Sequence, residues 1–140
     1  MRALRIAALV VLALAAVAGL TYWAGEQTEV VVLRTLDGDG TAYETKVWVV
    51  DHDGMPWVRV ANPERFWYQR LSRNPQIVLI RGGVERPVVA RPHDSAEARA
   101  ILDQAFREKY GIVDWWYGVL FRRHAIPVRL DPAPEAAQLP

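Results

Sequence analysis

The stretch from Ile6 to Tyr22 constrains this chain more than any other feature. It is apolar apart from Gly19 and Thr21 and carries no charge. At about 1.5 Å of rise per residue, a helix of that length reaches across a thin bilayer core. It lacks the polar face that a helix packed on a soluble core shows. Arg2 and Arg5 precede it and Glu26 and Glu29 follow it, so the positive-inside rule keeps the N-terminus cytoplasmic and places the rest on the exported, extracytoplasmic side. Tyr22 and Trp23 stand where an interfacial aromatic belt belongs. Ala16-Val17-Ala18 offers a signal-peptidase site as an alternative. The apolar run continues past that site, which favours an uncleaved anchor. A reversed anchor, with the domain cytoplasmic, contradicts the flanking charges.

In a chain of 140 residues, the remainder supports one domain with one core. The expected division is an anchor over 1–25, a domain over 26–132 and a disordered, Pro/Ala-rich tail over 133–140, the composition turning tail-like from Asp131. The formal charge of +1 gives no basic stripe for nucleic acid. Cysteine is absent, which removes disulfides, thiolate catalysis and Cys-ligated metals. Ser95 sits at a helix start and Ser72 at a helix end, so neither reads as a nucleophile. His52, His93 and His124 lack the spacing of a helical metal pair, and no metal site is expected. No residue stands out as a general acid or base. Six Trp report a core, an interface or a flat-ligand site, because large aromatics are costly to leave in water.

Periodicity divides the domain. Glu29 to Thr35 reads as a strand, and Asp37-Gly38-Asp39-Gly40 as a turn. Tyr43 to Val50 is a second strand, with Tyr43, Thr45, Val47 and Val49 on one face and Glu44, Lys46 and Trp48 on the other. Asp51 to Gly54 closes a hairpin onto Trp57 to Ala61. Pro63 to Leu71 is predicted to be a short helix, capped by Asn62 with Pro63 at its first position. Gln76 to Arg81, Gly82-Gly83 and Glu85 to Arg91 form a second hairpin, and Pro87 favours an edge position. A helix follows, capped by Asp94 or Ser95, with Ala98, Ile101, Leu102, Ala105 and Phe106 as its apolar face and Gly111 at its end. An aromatic helix from Asp114 to Arg123 and a last strand from Ala125 to Leu130 complete the order. Antiparallel hairpins interrupted by helices imply an α+β fold: a small antiparallel barrel with two or three helices behind one N-terminal transmembrane helix.

That order carries several local strings: Val32-Leu33-Arg34-Thr35, Val47-Trp48-Val49-Val50 running into Asp53-Gly54, Trp57-Val58-Arg59, Trp67-Tyr68-Gln69-Arg70-Leu71 followed by Asn74-Pro75-Gln76-Ile77, and Ile126-Pro127-Val128-Arg129-Leu130. Together they resemble the split β-barrel flavin-binding superfamily, and within it the deazaflavin-dependent nitroreductase and quinone reductase branch. The resemblance implies a homodimer with a ligand cleft shared between barrels. It also implies a bound FMN or deazaflavin that passes hydride or electrons to a small planar acceptor such as a quinone. By the same resemblance, Arg34, Thr35, Thr45, Lys46 and Arg59 correspond to strand positions that grip a cofactor phosphate; Trp48, Trp57, Trp67 and Tyr68 offer faces to a planar ring or else pack in the core or a dimer contact. The alternative for the charged residues is pairing with Glu44 and its neighbours on a solvated strand face. Deazaflavin-using relatives carry a basic turn after the first strand, whereas Asp37 and Asp39 make it acidic here. The acidic turn and the export signal favour a second reading, a non-catalytic barrel that binds another ligand or a protein partner. Trp115, Trp116 and Tyr117, with Arg122 and Arg123 beyond them, suit packing on the barrel, or else contact with a bilayer surface.

Overall fold

Alternation along the strands decides the architecture. In a computed structural model, which describes residues 1–26, 28–121 and 125–134, six strands close into one antiparallel barrel in the order β1-β2-β3-β6-β5-β4. They are β1 (Val30–Leu36), β2 (Ala42–His52), β3 (Met55–Val60), β4 (Gln76–Arg81), β5 (Val84–Pro92) and β6 (Ile126–Pro132). Pairing of β1 with β4, through Leu33 opposite Leu79, closes the ring. Four helices accompany them: α1 (Arg2–Glu26), α2 (Phe66–Arg73), α3 (Ala96–Tyr110) and α4 (Ile112–Phe121).

Every second strand residue points inward, so Val31, Leu33, Val49, Val58, Val60, Leu79 and Leu130 fill the barrel. Trp67 and Leu71 of α2 join the same cluster and plug its open end. The opposite face of β2 carries Trp48 and Val50, which pack outside the barrel against Leu102, Phe106 and Tyr110 of α3. α1 meets the domain beside α4; its apolar segment Leu4–Tyr22 is long and apolar enough to cross a membrane, and none of that segment is buried.

Four local expectations are revised. The helix expected from Pro63 begins at Phe66, with Arg65 in the cap position. Asn62 turns the chain instead: its carboxamide oxygen accepts from the Glu64 N–H at 2.8 Å, an Asx turn that competes with a helix start. On α3, Ser95 is the cap, accepting from the Ala98 N–H at 3.1 Å, while Asp94 pairs with Arg99. Of the expected apolar face of α3, Leu102 and Phe106 are buried and Ala105 packs with them, while Ile101 is exposed and Tyr110 takes a buried place one turn further on. Asp131 and Pro132, whose composition resembles a tail, continue β6 opposite Val89 and Val88. Pro87 faces no open edge, since the barrel closes. It lies opposite Val78 of β4 and its carbonyl accepts from the Ala133 N–H at 3.1 Å just past β6, so its missing N–H falls where the β5–β6 ladder ends. Arg122, Arg123, His124 and the tail from Glu135 lie outside the described residues, as do the side chains of Trp23, Glu26, Trp116 and Tyr117.

Candidate functional site

The register of the barrel wall creates an opening between β2 and β3. β2 pairs with β3 only from Val49–Val58 to His52–Met55. Upstream of Val49, β2 follows β1, where Trp48 lies opposite Val30 and Thr45 opposite Leu33. Downstream of Val58, β3 follows β6, where Arg59 lies opposite Pro127 and Val60 opposite Ile126. The two strands therefore diverge, and a wedge opens between them. A cavity of about 510 Å³ fills it, lined by Thr45, Lys46, Val47 and Trp48 on one side and by Arg59, Ala61, Asn62 and Arg65 on the other. Trp67 and Phe106 complete the lining. That volume lies within the range of small-molecule sites, roughly 300–1,000 Å³.

Its walls are held rigidly. Trp48 stacks on Tyr110 with ring centroids 5.2 Å apart, and Tyr110 stacks in turn on Phe106 at 5.6 Å. The Tyr110 hydroxyl donates to the Val49 carbonyl at 2.6 Å and accepts from the Val49 N–H at 3.2 Å. This fastens α3 to β2 beside the point where β2 and β3 separate. Burial pushes the Tyr110 phenol up to about 12. Trp67 meets Tyr68 edge to face at 6.2 Å, so Tyr68 supports the wall from behind.

Arg59 is the most constrained charge in the wedge. Its guanidinium lies 3.7 Å above the centre of the Phe106 ring. It donates to Asp103 of α3 at 2.9 Å and pairs with Asp114 of α4. The Arg59 and Asp114 side chains are only 7% and 5% exposed. Two carboxylates already compensate this guanidinium, so it joins α3 and α4 to the wall. The cations at the mouth are Lys46 and Arg65, both exposed.

Of the residues expected at a cofactor, Thr45, Lys46, Trp48, Arg59 and Trp67 meet at this wedge. The others lie elsewhere. Arg34 is on the outer face of β1 and donates to Glu44 at 2.8 Å and to Glu85 at 2.9 Å, the solvated strand-face pairing that its sequence neighbours allow. Thr35 is fully buried, and its hydroxyl accepts from Arg70 Nε at 3.0 Å, while the Arg70 guanidinium lies 4.1 Å above the Tyr43 ring. Sequence reasoning missed Asn62, Arg65, Phe106, Asp103 and Asp114 as parts of the site. Asp114 alone left a signal, being the one charge in an otherwise apolar helix, IVDWWYGVLF.

A flat ring suits the apolar walls of the wedge, and Lys46 with Arg65 suits one short anionic arm. Thr45 and Asn62 add side-chain hydrogen-bonding groups among the lining residues. No His is among the described lining residues, and no group of His, Cys, Asp and Glu among the described residues has the arrangement of a metal site.

No curated protein matches the sequence at a significant level. Several solved structures share the fold. An Agrobacterium tumefaciens protein of unknown function, Atu2129, superposes with a TM-score of 0.63 at 14% identity over 76% of this chain, which spans only 49% of that protein. An F420-H2 dependent reductase, FDR-A, gives 0.57 at 17% identity over 74% of this chain and 94% of its own. HutZ, the heme storage protein of Vibrio cholerae, gives 0.56 at 17% identity over 81% and 87%. The closed six-stranded barrel and these likenesses show the split-barrel fold. The family model described as "Uncharacterized protein conserved in bacteria (DUF2255)" matches residues 24–125, and the chain belongs to that family.

Proposed function

We propose that this protein is a membrane-anchored split-barrel oxidoreductase that holds a flavin or deazaflavin in the β2–β3 wedge and serves a small planar acceptor such as a quinone. The observation that carries the proposal is the wedge itself: a cavity of about 510 Å³ with aromatic walls and Lys46 and Arg65 at its mouth. In this reading Trp48 and Trp67 bound the ring system, Thr45 and Asn62 orient it, and Lys46 and Arg65 hold the anionic arm. Arg59 acts as a positioning residue that keeps Phe106 and the two helices against the wall. A reduced flavin or deazaflavin supplies the hydride. The chain supplies binding, orientation and exclusion of water, which accords with the absence of an evident general acid or base. α1 is the anchor, the flanking charges put the barrel on the exported side, and a second copy of the chain completes the cleft, as the family resemblance implies.

One observation favours a non-catalytic ligand-binding barrel. Arg34 and Arg59 each already face two carboxylates, and the turn after β1 is acidic, which leaves few cations for a heavily phosphorylated cofactor. The test is the absorbance spectrum and native mass of the full chain in detergent, titrated with FMN and with deazaflavin. Saturable binding by a dimer, weakened by Lys46→Ala and Arg65→Ala but not by Arg34→Ala, is the expected result. A colourless protein that binds neither cofactor overturns the oxidoreductase reading.

A further inference from the structure

We infer that α4 is a bilayer-docking surface, seated in the headgroup layer beside the exit point of α1. The inference rests on the reading of α1 as a membrane anchor, and the experiment below separates the two. Only residues 27–29 lie between the end of α1 at Glu26 and the start of β1 at Val30. Even fully extended at about 3.5 Å per residue, that link spans roughly 14 Å across its four peptide steps. It is also tied down: Glu29 accepts from Arg81 Nε at 2.7 Å and pairs with Lys109 at the end of α3. Arg81 also donates to Asp51 at 2.7 Å. The barrel end formed by Val30, Asp51, Arg81 and the α3–α4 corner is therefore held close to the membrane surface, and α4 lies against α1.

The composition of α4 fits that place. Its single charged residue, Asp114, is turned inward onto Arg59. Outward, Ile112 is 78% and Trp115 is 59% exposed, a large apolar display for a soluble surface. Tyr22, near the end of the apolar segment of α1, is 74% exposed as well. Basic residues flank the helix on both sides: Arg107 is exposed on the last turns of α3, and Arg122 and Arg123 follow α4 in the sequence. Exposed aromatic and aliphatic side chains between cations describe a segment that sits at the boundary of headgroups and acyl chains and prefers anionic lipid. Because Asp114 also grips Arg59 at the wedge, docking of α4 holds the wedge within reach of the membrane, where a lipophilic acceptor is concentrated.

The chain contains no cysteine, so single-cysteine variants take an environment-sensitive fluorophore at one position only. We would label Leu12→Cys, Ile112→Cys, Trp115→Cys and, at the far turn of the barrel, Gly38→Cys, each in the full chain. Gly38 has open space around an added Cβ. The proteins are reconstituted into phosphatidylcholine vesicles with and without phosphatidylglycerol and probed with nitroxide lipids. Expected are deep quenching at Leu12, quenching at headgroup depth at Ile112 and Trp115 that strengthens with phosphatidylglycerol, and none at Gly38. A water-exposed label at Ile112 and Trp115 beside a membrane-buried label at Leu12 overturns the docking of α4 and leaves the anchor standing. A water-exposed label at Leu12 overturns the anchor, and the docking inference with it.

Discussion

Replacing Arg59 by Met distinguishes a residue that binds ligand from one that holds the fold together. The structure makes it the second. Its side chain is 7% exposed and that of its partner Asp114 5%, so removing the guanidinium leaves a carboxylate with almost no solvent to stabilise its charge. Breaking a buried pair from one side costs about 3–5 kcal/mol, because the remaining charge stays desolvated. Asp103 is half exposed and recovers its hydration on losing Arg59, so it adds little. A domain of this size shifts its melting midpoint by about 4–8 °C per kcal/mol, so Arg59→Met is expected to lower it by well over 10 °C. Adding Asp114→Asn removes the buried carboxylate charge and should restore part of the loss, a coupling read from the double-mutant cycle. Urea titration of the full chain in detergent, followed by near-UV circular dichroism, measures all three variants. The reasoning is refuted if Arg59→Met unfolds within about 1 kcal/mol of wild type, or if Asp114→Asn makes the Arg59→Met protein still less stable.

Four further outcomes follow from the same structure. Leu71, fully buried where α2 plugs the barrel, should cost about 3–5 kcal/mol as Leu71→Ala in the same titration, and a cost below ~1 kcal/mol would show that α2 does not seal that end. Gly82 and Gly83 turn the β4–β5 hairpin at φ of 57° and 77°, so Gly82→Val or Gly83→Val should destabilise by about 1 kcal/mol or more through backbone strain although nothing crowds either site, and a neutral Val would contradict the turn. Arg81 holds the Glu29 and Asp51 carboxyls below their ordinary range, chiefly by direct hydrogen bonds. Carboxyls lowered in the folded state contribute stability above their unfolded values that is lost as pH falls through the folded ones, so wild type should lose stability below about pH 4. Arg81→Gln should lose less over that window. Tyr110 runs the other way: its phenol is raised to about 12, so its contribution is full below the ordinary value of 10 and lost as pH rises toward 12, readable as one late tyrosinate step.

Much of the fold was legible because its signals are local. Gln76–Arg81 and the Gly82-Gly83 turn came from period-two alternation ended by residues tolerant of positive φ, and the two faces of β2 came from the same period. The start of α2 did not, because Asn62-Pro63 satisfies two motifs at once, and the Asx turn prevails over the helix cap. On α3, Leu102, Ala105 and Phe106 read correctly, but Ile101 is exposed and Tyr110 buried, because the wall that selects among the apolar residues, Trp48 and Val50, is about fifty residues away in sequence. The site was harder still. Period two places Arg59 with the outward face of β3, yet its surroundings come from Asp103 and Asp114, 44 and 55 residues on, and no local pattern encodes that distance. Thr35 reads as a strand hydroxyl available to a ligand, but Arg70 and Tyr43 enclose it only once the barrel has closed. The wedge itself depends on where two ladders part, which is a property of register and not of any single segment.

The central claim is that the β2–β3 wedge is the ligand site. Ala61 lines it and is exposed, so Ala61→Trp fills the cavity without touching the barrel core. The most direct measurement is the binding of FMN and of deazaflavin to the wild-type chain and to Ala61→Trp, side by side with their melting midpoints. Binding by wild type that is lost in Ala61→Trp, at an unchanged midpoint, is the expected result. Equal affinity in the two proteins, or no binding of either cofactor by wild type, contradicts the claim.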